Sequence, residues 1–84
     1  MKSKMYTIYD SAAQAYNKPV YFINRGAAIR AFADEASDPK SNICRHANDY
    51  TLFEIGEFDE LTGEVRPYET KIPCGMASEL KKVQ

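Results

Sequence analysis

The chain is 84 residues long, 44% hydrophobic and 27% charged, with a formal net charge of −1. That length holds one domain and leaves no room for a second core, and the composition lies well away from that of disordered chains. Its longest apolar runs are a few residues, so neither a membrane-spanning helix nor a secretory signal is expected behind Met1-Lys2-Ser3-Lys4.

Met5-Tyr6-Thr7-Ile8-Tyr9 alternates as a strand does, with Met5, Thr7 and Tyr9 on one face and Tyr6 and Ile8 on the other. Asp10-Ser11 ends it. Ala12 to Ala15 reads as a loop or a single turn, because Asn17-Lys18-Pro19 cuts it short. Val20-Tyr21-Phe22-Ile23 is a second strand, β-branched and aromatic, with Pro19 just before it where no ladder donor is needed. Asn24 is placed to cap a helix, its side chain accepting from the free N–H groups of the first turn. From Arg25 to Ala36 the apolar residues Ala28, Ile29, Phe32, Ala33 and Ala36 share one helical face, while Arg30, Asp34 and Glu35 point elsewhere. Ser37-Asp38-Pro39 ends that helix, since proline disfavours helical geometry in the residue before it.

Residues 40–49 are polar, with room for one short turn capped by Asn42. Aromatic and β-branched residues then run from Asp49 to Asp59, pass through Leu61-Thr62-Gly63-Glu64 and resume at Val65. This is a β-hairpin in which glycine supplies a left-handed backbone angle. Beyond Tyr68 the signals weaken: Pro67 and Pro73 bracket a stretch that Gly75 loosens, and a weakly ordered tail is expected from about 69, with a short helix or a fraying end over 77–82. The order strand, strand, helix, strand, strand predicts a single α+β domain over residues 1–84. Its small antiparallel sheet, in ββαββ order, carries one main helix packed on a face, which buries the Ile29/Phe32 stripe. A domain this small buries only about 60–65% of its unfolded surface, so a homodimer is expected.

The residues that usually carry catalysis are not assembled here. Cys44 and Cys74 read as reduced thiols of a cytoplasmic protein. Cys44, His46, Asp49 and Cys74 lack the two tight ligand pairs of a structural zinc site. As a Cys–His nucleophile, Cys44 and His46 lack both an orienting third residue and a glycine-rich oxyanion turn. The carboxylate pairs Glu54/Glu57 and Asp59/Glu60 read as solvated hairpin charges that guard a sheet against edge pairing. The four glycines, at 26, 56, 63 and 75, form no phosphate loop. No enzymatic activity, metal or cofactor is expected.

Charge is divided unevenly: residues 1–45 carry +3 and residues 46–84 carry −4. In the basic half Tyr6, Tyr9, Tyr16, Tyr21 and Phe22 are interleaved with Lys2, Lys4, Lys18, Arg25 and Arg30. Single-stranded nucleic acid is held by such surfaces, its bases stacking on rings and its phosphates meeting cations. Strand alternation puts Tyr6 and Tyr9 on opposite faces, so not all of the rings can stack bases, and Phe22 reads as core. The candidate contacts are Lys4, Tyr6, Tyr9, Lys18, Tyr21, Arg25 and Arg30. The alternative is a protein-docking module that uses the acidic hairpin residues Glu54, Glu57, Asp59, Glu60 and Glu64.

Several segments also resemble a known family. Gly26-Ala27-Ala28-Ile29-Arg30-Ala31-Phe32, then His46-Ala47-Asn48-Asp49-Tyr50-Thr51-Leu52-Phe53, then Gly56-Glu57-Phe58-Asp59 with Thr62-Gly63, are similar to the small nonstructural protein of gokushoviruses, single-stranded DNA phages of the microvirus group. Ala15-Tyr16 with Pro19, and the opening strand ending in Asp10-Ser11, fit the same pattern. The resemblance covers roughly residues 4–65 in order, and departs from it at Ala47, where proline is expected after the histidine. It implies a nonstructural role in the cytoplasm of an infected bacterium, in viral DNA synthesis or packaging. The implied partners are single-stranded DNA and viral replication or packaging proteins, with no membrane. It brings no catalytic residues.

Overall fold

A computed structural model describes residues 2–81. Its frame is a five-stranded antiparallel sheet. β1 (Lys2–Asp10) runs through the middle and pairs on one side with β4 (Tyr50–Asp59). On its other side it pairs with two short strands in succession, β2 (Ala15–Tyr16) and β3 (Val20–Phe22). β5 (Val65–Met76) pairs with β4 and forms the far edge. Three helices complete the described chain: α1 (Arg25–Ala36), α2 (Asn42–Arg45) and α3 (Ala77–Leu80).

α1 spans the residues that its periodicity predicts. Asn24 caps it, with the side-chain oxygen accepting from the Ala27 N–H at 2.8 Å. Ala28, Phe32 and Ala36 turn inward and meet Tyr6 of β1 and Leu52 of β4 in the buried core, which Ala77 of α3 completes. Ile8, Phe22, Ile29 and Leu80 pack around it. The fold is thus α+β, with the expected stripe against one sheet face. The hairpin also forms as expected: Gly63, at φ 77°, donates its N–H to the Asp59 carbonyl at 2.8 Å, and Asp59 donates to the Glu64 carbonyl at 2.9 Å.

Three local features depart from the sequence reading. Ala15, expected as the end of a loop, joins the sheet together with Tyr16, opposite Asp10 and Tyr9, after a turn in which Gln14 takes φ 55°. Pairing with β1 makes this strand; two residues show no periodicity of their own. α2 is capped by Ser41, whose hydroxyl accepts from the Ile43 N–H, and not by Asn42. β5 continues past Tyr68 and through Pro73 to Met76, because an edge strand needs ladder donors on one side only. α3 then takes up Ala77–Leu80, while Lys82, the end of the expected short helix, lies outside the described residues.

The ladders are interrupted where β4 passes Ile55. Register shifts fall between Met5 and Tyr6 on β1 and between Glu54 and Gly56 on β4. On β5, residues 68–71 fall between the pairs Glu54↔Ile72 and Gly56↔Pro67 and bulge opposite Ile55 alone. Gly56 permits the crossing: a Cβ there would stand 2.6 Å from the Arg66 carbonyl oxygen.

Candidate nucleic-acid interface

The core lies on the Tyr6/Ile8 side of β1 and leaves the Met5/Thr7/Tyr9 side without a helix. Strand register then assembles rings on that uncovered side. Tyr9 stands beside Tyr16, Thr7 beside Phe53, Met5 beside Tyr21, and Ser3 beside Phe58. The rings form two clusters. In one, Tyr16 lies 4.7 Å from Tyr9 and 6.2 Å from Phe53, centroid to centroid. In the other, Tyr21 and Phe58 are 5.6 Å apart. Tyr16 and Tyr21 are 48% and 50% exposed, which leaves ring surface for a further stacking partner. Four residues of β1 separate the clusters, about 13 Å at a strand rise of about 3.3 Å.

A groove of about 390 Å³ lies between the clusters. Met5, Thr7 and Ile55 form its floor, Tyr16, Asn17 and Pro19 one wall, and Pro67, Tyr68, Glu69 and Lys71 the other. The first wall is pinned to β1, with the Thr7 hydroxyl donating to the Asn17 carbonyl at 2.7 Å and the Asn17 N–H donating to the Ile8 carbonyl at 2.9 Å. The second wall is the β5 bulge. From it Lys71 reaches across so that its ammonium stands 5.3 Å from the centre of the Tyr16 ring, a cation–π contact.

The second wall is anchored from the helix side through Glu54. This carboxylate is 4% exposed and accepts from Tyr68 Oη at 2.6 Å, Arg25 Nε at 2.9 Å and Tyr6 Oη at 3.2 Å. Burial alone would raise its pKa, but the hydrogen bonds from Tyr68 and Arg25, the Arg25 charge and the Tyr6 hydroxyl together hold it below the ordinary 4.5. Burial, and after it the Glu54 charge, push the Tyr6 phenol well up. Burial and the bond to Glu54 raise Tyr68 likewise.

The seven sequence candidates do not form one patch. Tyr9 and Tyr21 lie on the uncovered face, and Lys18 is exposed between two lining residues of the groove. Tyr6 is fully buried against α1 and cannot stack on a base, because alternation turns it toward the helix. Lys4 is held by Glu57 at 3.1 Å and Arg25 by Glu54, so both cations already have anions. Arg30 lies exposed on α1, which packs on the opposite face of the sheet. Tyr16, Phe53, Phe58 and Lys71 were not among the candidates. Tyr16 was visible as an aromatic of the basic half, whereas the other three arrive through pairing with β1 and through the β5 bulge.

The acidic hairpin is likewise not one free anionic surface. Glu54 is interior and not the solvated charge expected of a hairpin, Glu57 is paired with Lys4, and Glu60 accepts from the Ser3 hydroxyl at 2.9 Å. Cys44 and Cys74 are free thiols, and burial raises the pKa of Cys74. No group of three or more His, Cys, Asp or Glu side chains suited to a metal occurs among the described residues. No helix among them is long and apolar enough to cross a membrane.

Comparison with known proteins finds a match to a family model described as phage ORF5 protein, over residues 3–80. No curated protein and no solved structure matches.

Proposed function

The chain belongs to the phage ORF5 protein family, and from that premise we propose that it binds single-stranded DNA on the uncovered sheet face. In this reading it is a non-enzymatic protein of the gokushovirus type that acts in viral DNA synthesis or packaging within the host cytoplasm. The observation that carries the reading is the pair of aromatic clusters on a face without a helix, with Tyr16 and Tyr21 each about half exposed. Bases of any sequence stack on such rings, at about 1–3 kcal/mol each. Lys71 and Lys18 supply charge for phosphates beside the groove. Two cations are few, so affinity would come chiefly from stacking.

Fluorescence anisotropy with a labelled oligonucleotide tests this. Binding is expected at low salt, with log K falling against log salt at a slope of about −1 to −2, since each neutralised phosphate on a single strand contributes about −0.7. The chain has six tyrosines and no tryptophan, so quenching of its tyrosine emission would report stacking directly. No binding at low salt, or binding indifferent to salt, overturns the reading.

A further inference from the structure

We infer that the groove between the two ring clusters takes one unstacked base of the bound strand and favours cytosine or adenine, the bases that carry an amine where thymine and guanine carry a carbonyl oxygen. The inference rests on the single-stranded DNA reading and adds a base preference to it. The groove adjoins the first cluster through Tyr16 and extends to Met5, the partner of Tyr21 in the ladder, so a strand lying on both clusters passes over it. At about 390 Å³ the groove falls in the range of about 300–1,000 Å³ typical of small-ligand sites. Its apolar surface comes from Met5, Pro19, Ile55 and Pro67, which suits the flat faces of a base.

The rim supplies the selectivity. The Thr7 hydroxyl already donates to the Asn17 carbonyl and the Tyr68 hydroxyl to Glu54. The exposed polar side chains left on the rim to meet a ligand are Tyr16, which offers its ring and hydroxyl, and Asn17, Glu69 and Lys71; of these Glu69 alone is an anion. A carboxylate only accepts hydrogen bonds when ionised. Glu69 therefore welcomes the N4 amine of cytosine or the N6 amine of adenine and is repelled by the O4 acceptor of thymine. Lys71, which spans the groove to reach Tyr16, would leave that ring and meet a backbone phosphate as the base enters.

Two pyrimidine homopolymers of equal length, oligo(dC) and oligo(dT), stack similarly but differ at that edge. At fixed salt the intact protein is expected to bind oligo(dC) about tenfold tighter, the effect of one well-placed base contact. Glu69→Gln, on an exposed position of the bulge, should bring the ratio close to one, since an amide can donate as well as accept. Thermal melting of the variant verifies that it folds. A ratio near one in the intact protein, or a preference that survives Glu69→Gln, overturns the base preference while tyrosine quenching upholds the aromatic face. Failure of both homopolymers to bind overturns the underlying reading as well.

Discussion

Glu54 is the residue on which both sides of the sheet depend. Its carboxylate joins Arg25 at the start of α1 to Tyr68 in the wall of the groove. Because its pKa is held below the ordinary 4.5, the folded state binds the proton less readily than the unfolded chain. The stability it contributes is therefore present above about pH 4.5 and is lost as pH falls through its folded value. Denaturant titrations of the intact protein across that range should show stability falling with acid, and Glu54→Gln should flatten this limb. Glu54→Ala, which strands the buried Tyr6 hydroxyl and the half-buried Tyr68 hydroxyl while the exposed Arg25 turns to water, should cost about 2–3 kcal/mol. The exposed rings answer to a different assay: Tyr16→Ala and Tyr21→Ala should each weaken oligonucleotide binding at least fivefold, with little change in melting temperature in the case of Tyr21. Alternation alone put Tyr6 and Tyr9 on opposite faces. Which face α1 would cover was not legible, because periodicity fixes the contrast between two sides and not the identity of the buried one.

At the scale of elements, the sequence announces what is locally complete. α1 has its own cap, apolar stripe and proline stop, and the hairpin has its own glycine, so both appear where those signals place them. β2, the far half of β5 and the bulge at 68–71 exist only through pairing with distant residues, and nothing within a short window encodes them. The same contrast predicts how glycines respond to substitution. Gly63→Ala meets open space but a left-handed backbone, and should cost about 1 kcal/mol. Gly56→Ala drives a methyl group into the Arg66 carbonyl and the Pro67 backbone, and should cost about 1–3 kcal/mol by displacing β5. Equilibrium unfolding in urea ranks the two. A cost at Gly56 no greater than at Gly63 would show that the strand crossing yields easily.

Over the whole molecule, charge and rings are sorted differently from their order along the chain. The basic first half led to the expectation of one cationic, aromatic patch, but folding sends Arg25 and Lys4 to acidic partners, Arg30 to the helix, and Tyr9, Tyr16 and Tyr21 to the other face. Lys18→Ala and Lys71→Ala should each reduce the steepness of the salt dependence by about 0.7, whereas Arg30→Ala should leave it unchanged. Equal effects from all three substitutions would mean that DNA wraps the molecule and does not lie on one side of it. The prolines of β5 bear on what happens when many copies crowd together. The outer margin of the sheet lacks two amide donors, at Pro67 and Pro73, so a neighbour attempting to extend the ladder finds a broken template. Along this edge, copies lying side by side have no continuous ladder to share.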